Sequence, residues 1–152
     1  MKKIIIGSDH AGFALKEALN PFLESLGYGV EDYGPKKFDP EDDYPDYVFP
    51  LAIAVSNKSI DRGIAICGSG VGASIAANKI NNVRSSLIHD LSSARQGVED
   101  DDMNIICLGT NMMTFRLAQE LIQTFLKANF SEEPRHIRRL AKISKVENRQ
   151  VF

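Results

Sequence analysis

The sequence predicts a three-layer α/β/α fold, Rossmann-like, with a five-stranded parallel sheet and one further helix at the carboxyl terminus. Two observations carry that prediction. Short apolar runs of strand type alternate five times with segments of helical periodicity, and parallel strands need such crossovers. Midway lies Arg62 to Lys79, RGIAICGSGVGASIAANK, where an apolar run breaks at a cysteine into a glycine loop and then into small, helix-compatible residues. Strand, glycine loop, helix is the grammar of an anion site, because unpaired backbone N–H groups at a helix start point at whatever lies there.

The first strand is Lys3-Ile4-Ile5-Ile6-Gly7, and Ser8, Asp9 and His10 follow at its carboxyl end, where open α/β sheets place their sites. Gly12 to Leu26 carries Phe13, Leu15, Leu19, Phe22, Leu23 and Leu26 at helical spacing, with Pro21 as a source of bending and Gly27 as a stop. Tyr28 to Tyr33 is the second strand. Residues 34–46, GPKKFDPEDDYPD, form a Pro- and Asp-rich loop holding Phe38 and Tyr44, and loops of this kind are functional or mobile more often than not. Tyr47 to Asn57 reads as a helix with Pro50 near its first turn, where proline is tolerated.

After the central strand and its helix, Val83 to Ile88 makes the fourth strand, ending in His89 and Asp90. A helix starts within Ser92 to Gly97 and is followed by the acidic run Glu99-Asp100-Asp101-Asp102. Asn104 to Leu108 is the fifth strand, closed by Gly109. Thr114 to Asn129 shows a helical stripe of Phe115, Leu117, Ala118, Leu121, Ile122, Phe125 and Leu126. The tail, Glu132 to Arg149, is a basic amphipathic helix with Ile137, Leu140, Ile143 and Val146 on one face and Arg135, Arg138, Arg139 and Lys142 among its cations. Arg135 and Arg139, one turn apart, suit a phosphate.

At 152 residues the chain is long enough for one domain with a sizeable core, and we take 1–152 as that domain. A net charge of −2 without a sustained basic stretch argues against nucleic acid as a main partner. No apolar run reaches the length of a membrane span, and the start MKKIIIGSDH carries charges too close together for a signal peptide. Cys67 and Cys107 both sit in or at the end of inner strands, which points to reduced thiols and a cytoplasmic setting. Neither the cysteines nor His10, His89 and His136 show metal-ligand spacing, so no metal is expected.

Three chemistries compete for the glycine loop. Gly68-Ser69-Gly70-Val71-Gly72-Ala73 fits G-x-G-x-x-A with Asp90 further along, a dinucleotide pattern that is weak alone and usually opens its domain. A cysteine phosphatase would want an arginine six residues after the thiol, and that position is Ala73. The third is a thiol base that removes a proton beside a carbonyl while the loop amides hold the developing oxyanion. A helix start beside the thiol favours its anion. The plain alternative is a buried cysteine in a tight strand–helix turn. Parallel topology should bring Asp9-His10, the Cys67 loop, and His89-Asp90 with the acidic run to one sheet edge.

Taken together, GSDHAGF near the start, DYPD around Tyr44, CGSGVGASIAANK, and R-H-x-x-R in the tail resemble the B-type ribose-5-phosphate isomerases, a family that also contains the galactose-6-phosphate isomerase subunits. The resemblance runs in order over nearly the full length. It implies an aldose–ketose isomerase that needs no cofactor, works through a cis-enediolate, and forms a homodimer, or a tetramer built on it, with sites between subunits. It also implies the strand order 2-1-3-5-4.

By that resemblance Cys67 is the base moving a proton between C2 and C1 of the sugar phosphate. The amides of Gly68, Ser69, Gly70, Val71 and Gly72 hold the enediolate oxygen, and the Ser69 hydroxyl helps move the oxygen-bound proton. Asp9 and His10 contact the sugar, Tyr44 lies against it, and Arg135 and Arg139 bind the phosphate from the neighbouring chain. The chain departs from the family in two places. Asp100 and Asp101 stand where the family usually has a ring-opening histidine and then an asparagine, and Asn111 stands where an arginine commonly follows the fifth strand. Asp100 therefore enters the catalytic set, and Asp101 and Asn111 the binding set, while His10, ahead of His89, is the better group for opening the ring near neutral pH. Other readings are a hexose 6-phosphate isomerase, a dinucleotide-binding module, and a catalytically silent regulatory domain.

Overall fold

The computed structural model describes residues 2–148, so Arg149, the predicted end of the tail helix, lies outside the described residues. Five strands, β1 (Lys3–Ser8), β2 (Gly29–Asp32), β3 (Arg62–Cys67), β4 (Ser85–Leu87) and β5 (Ile105–Gly109), form one parallel sheet in the order β2-β1-β3-β5-β4. Six helices accompany it: α1 (Phe13–Ser25), α2 (Tyr44–Ser56), α3 (Val71–Ala77), α4 (Leu91–Asp101), α5 (Phe115–Lys127) and α6 (Pro134–Glu147). Fold class and strand order are those expected.

Side chains alternate across each strand, so the apolar runs feed two cores. Ile4, Ile6, Ile64, Ile66, Ile106 and Leu108 pack on α1, α4 and α5. Ile5, Ala65, Cys67, Ile105 and Cys107 pack on α2 and α3 on the other face. The small residues of α3, Ala73, Ala76 and Ala77, are buried there and let that helix lie close to the sheet.

Several boundaries differ from expectation for identifiable reasons. Helix α2 begins a turn earlier than predicted, on Tyr44, with Pro45 in its first turn and Pro50 in its interior. Strand β4 is three residues long, since it lies at the sheet edge and pairs with β5 alone. Helix α4 runs on through Glu99, Asp100 and Asp101, and Asp102 ends it in the left-handed conformation (φ 48°). Burial of Ala94 and Val98 outweighs the cost of acidic residues at a helix carboxyl end. At the other end Asp90 caps α4, accepting from the Ser93 N–H at 2.8 Å.

Candidate active site

The carboxyl edge of the sheet carries Cys67 at the last position of β3, beside the end of β1 with Ser8 paired to Ile66 and the end of β5 with Gly109 paired to Cys67. The Cys67 side chain is 4% exposed, and its Sγ accepts a hydrogen bond from the Gly70 N–H at 3.1 Å. Gly70 takes φ 77°, which an L side chain rarely adopts, and this turns its amide back to the sulfur. The Ser69 hydroxyl is exposed on the same loop and accepts from the Val71 N–H at 3.2 Å.

Neighbouring elements grip this loop. The Asn111 N–H donates to the Gly68 carbonyl at 3.0 Å. A side chain at Gly109 would collide with the Ser69 backbone. Tyr44 lies so close over α3 that a Cβ on Gly72 would stand 2.7 Å from its ring. Thr110 Oγ1 donates to the Ala11 carbonyl at 3.2 Å, tying the β5 loop to the β1 loop.

Beyond β1, Asp9 is 6% exposed and its Oδ1 accepts from the Gly12 N–H at 3.1 Å. Burial pushes the Asp9 carboxyl above its ordinary value, the hydrogen bond from Gly12 and the His10 charge opposing it only in part. His10 Nδ1 lies 2.6 Å from Asp42 Oδ1, and the His10 backbone N–H donates to the same oxygen at 2.9 Å. That hydrogen bond, first of the causes, raises the His10 pKa against a smaller loss from burial. Asp42 comes from the Asp-rich loop and was not among the predicted residues; the loop's composition was the one signal pointing to it.

Asp9, His10 and Asp42 are also the one cluster among the described residues whose ligand-type atoms could hold a metal ion, all within 4.8 Å of one another. The 2.6 Å contact inside it is one that a proton bridges.

Second, β2 and α1 stiffen the same edge. Lys16, fully buried, reaches Asp32 at the end of β2 at 2.6 Å and also pairs with Glu17. Asp32 Oδ1 in turn accepts from the Gly34 N–H at 2.8 Å, where the Asp-rich loop begins.

The remaining predicted residues are elsewhere. Helix α4 leaves the carboxyl end of β4 and returns to the start of β5, so its acidic end lies at the amino edge of the sheet. There Asp102 Oδ2 pairs with Arg84 at 2.7 Å, just before β4. Asp100 Oδ1 faces His136 Nε2 at 3.6 Å, and His136 Nδ1 meets Ser131 Oγ at 2.8 Å, which places the start of α6 at that edge too. The end of α6 is there as well, with Glu147 accepting from the Asn82 N–H. Arg135 and Arg139 are exposed on α6, Arg135 paired with Glu133 at 2.9 Å. Within one chain, therefore, the acidic run does not join Asp9, His10 and Cys67 at one sheet edge, and the predicted convergence is corrected on that point. His89 and Asp90 are at the carboxyl edge, but β4 is separated from β3 by β5, and Asp90 is spent on its cap. That removes the acidic partner the dinucleotide pattern needs on an adjacent strand.

The family description Ribose/Galactose Isomerase matches residues 4–143. The chain is 41% identical over 145 residues to a probable ribose-5-phosphate isomerase B of Mycoplasma genitalium, covering 95% of each chain. The solved structure of the ribose-5-phosphate isomerase B from Mycoplasma genitalium with bound ribulose-5-phosphate superimposes with a TM-score of 0.91 at 39% identity, covering 96% of each chain. A D-erythrulose-4-phosphate isomerase of Pectobacterium atrosepticum is 36% identical over 133 residues, 86% of each chain. Among the described residues no helix is long and apolar enough to cross a membrane.

Proposed function

The chain belongs to the ribose/galactose isomerase family, and on that premise we propose that it interconverts ribose 5-phosphate and ribulose 5-phosphate in the cytoplasm, as a single isomerase domain that pairs with a second copy. The observation that carries this reading is Cys67 at the carboxyl end of the central strand, its sulfur 3.1 Å from the Gly70 amide and flanked by the Asp9-His10 end of β1.

In the open-chain aldose, the Cys67 thiolate takes the proton from C2, and the C1 carbonyl oxygen takes up the negative charge. Loop amides between Gly68 and Gly72 hold that charge as the cis-enediolate forms. The thiol then returns its proton to C1, and the proton on O2 passes to O1 with the help of the Ser69 hydroxyl, which leaves the ketone at C2. Asp9, Tyr44 and Asn111 line the sugar's path, and His10 delivers the proton that opens the furanose ring. The phosphate dianion needs cations. Arg135 and Arg139 of one chain lie at the amino edge, so they serve the Cys67 edge of a second copy, together with Asp100 and Asp101.

A four-carbon 4-phosphate is a second reading, favoured by the carboxyl at Asp100. Its aldose has no free hydroxyl placed to close a furanose ring, so no group need open one. The deciding experiment is a coupled assay with ribose 5-phosphate, erythrose 4-phosphate, allose 6-phosphate and galactose 6-phosphate, with and without EDTA. Ribose 5-phosphate should have the highest kcat/KM, unchanged by the chelator. Preference for another arm reassigns the substrate, and loss with EDTA overturns the metal-free mechanism.

A further inference from the structure

We infer that Asp42 is a positioning residue for His10, holding its imidazole in one tautomer with Nε2 turned to the substrate; the inference rests on the isomerase reading above. Asp42 lies 32 residues from His10 and makes two contacts to it through a single oxygen, 2.9 Å from the backbone nitrogen and 2.6 Å from Nδ1. A carboxylate only accepts hydrogen bonds, so the ring nitrogen facing it keeps its proton in both charge states, and Nε2 is the nitrogen that gives up its proton to the ring oxygen and takes one back. The backbone contact fixes where the ring is rooted, and the side-chain contact fixes how it is turned.

Burial gives the pair a front and a back. The Asp42 side chain is 6% exposed and that of His10 is 35% exposed, so the carboxylate stands behind the imidazole and the ring faces outward. Phe38 closes edge-on against the ring, with centroids 6.4 Å apart. The second Asp42 oxygen, Oδ2, is buried with no direct hydrogen bond to it, and the Tyr47 hydroxyl is the donor that faces the carboxylate. Burying a carboxylate costs stability even with a hydroxyl beside it, so a purely structural pin would be served as well by a neutral group. What the charge adds is a more basic imidazole.

The charged and titratable groups facing this pair come from three elements. Asp9 lies at the end of β1, Asp39 belongs to the loop, and Asp46 and Tyr47 belong to α2. Burial, and then the hydrogen bond to the Asp42 carboxylate, push the Tyr47 phenol above its ordinary value, with Asp39 and Asp46 adding to it. On His10 the Asp42 hydrogen bond acts first, and the Asp9 charge adds to it.

The test combines imidazole nitrogen–proton correlation spectra across pH with kinetics for Asp42→Asn, His10→Asn and the double variant. In the unaltered protein, neutral His10 above its titration should show the tautomer protonated on Nδ1, and in Asp42→Asn its titration should move to lower pH. In turnover from ribose 5-phosphate, Asp42→Asn should lower kcat by about tenfold or more with little change in KM. The inflection that His10→Asn abolishes should move to lower pH in step with the spectra. The double variant should be no worse than His10→Asn alone, as for two residues acting through one group. An Nε2-protonated tautomer in the unaltered protein overturns the inference whether or not a variant folds. So does an unmoved His10 titration, or losses that multiply in the double variant. If the unaltered protein turns over none of the sugar phosphates, the isomerase reading fails by itself and the spectra alone decide the Asp42–His10 pair.

Discussion

The two edges of the sheet are built in opposite ways. At the carboxyl edge, Cys67, Asp9 and the Asp42 carboxylate are buried, each has a hydrogen-bond partner, and Lys16 is sealed against Asp32 beneath the loop. At the amino edge, Arg135 and Arg139 are exposed, and the Asp100–His136 contact is loose at 3.6 Å. A cleft of about 410 Å³ runs between β4 and α4 and one of about 490 Å³ lies between β4 and α6, with Asp101 lining both and Ile143 and Val146 lining the larger. The contrast teaches a division of labour. A base and an oxyanion holder need fixed geometry within one chain, whereas cations that grip a phosphate can be carried in by another copy. In the dimer proposed above, a two-fold axis would let each chain lend its amino edge to the other's carboxyl edge.

The strongest way to break this comparison is at Cys67. Cys67→Ala should leave the fold intact and cut kcat by about 10²-fold or more, as expected for loss of a positioned base. Cys107→Ala should be nearly silent, since burial pushes that thiol up to about 12. Iodoacetamide should therefore label Cys67 first at pH 8. Labelling of Cys107 with activity retained would remove the base from the built edge.

Lys16→Met tests how much that edge depends on its buried ion pair. Removing one partner of a buried pair costs about 3–5 kcal/mol, read as a lower midpoint in urea. The sign with pH follows from Asp32. Burial alone would raise its pKa, but the hydrogen bonds from Lys16, Gly34 and Asn20 together hold it below the ordinary value. A depressed carboxyl contributes stability above its unfolded pKa of about 3.9 and loses it as pH falls through the folded value. The deficit of Lys16→Met should thus be full at neutral pH and shrink below about pH 4. A deficit that is constant with pH would mean packing, not charge.

At the amino edge, Arg135→Ala and Arg139→Ala should each raise KM by the equivalent of about 1.5–3 kcal/mol with kcat little changed. Mixing an Arg139→Ala chain with a Cys67→Ala chain should restore part of the activity, because one of the two sites in the mixed dimer is then whole. Heterodimers that form without rescue would put both halves of the site in one chain.

The smallest effect should come from Asp100→Asn, expected to slow turnover of ribose 5-phosphate by less than about threefold, with His10→Asn slowing it far more. Ribulose 5-phosphate cannot close a furanose ring and serves as the control. A loss in Asp100→Asn confined to the ribose 5-phosphate direction, with His10→Asn unaffected, would make the Asp100 carboxyl the ring opener.

What could be read from the chain alone is what lies close along it. The apolar runs at Ile4 to Ile6 and Ile64 to Ile66, the helical stripe from Phe115 to Leu126, and the Cys67 loop with its glycines are each decided within one element, where periodicity and turn chemistry act over a few residues. Those segments located the sheet, its layers and the thiol. Tertiary structure decided the rest. Asp42 meets His10 across 32 residues, and Lys16, spaced like any surface lysine on a helix, is sealed because Asp32 ends the strand beside it. No local pattern marks either pair, since each forms only when separate elements dock. The acidic run is the sharpest case. It follows β4 closely in sequence, yet helix α4 carries it the full height of the sheet to the opposite edge, because buried Ala94 and Val98 hold the helix on the sheet through Asp101. Which edge a residue reaches depends on where its helix stops, and packing against the sheet sets that point.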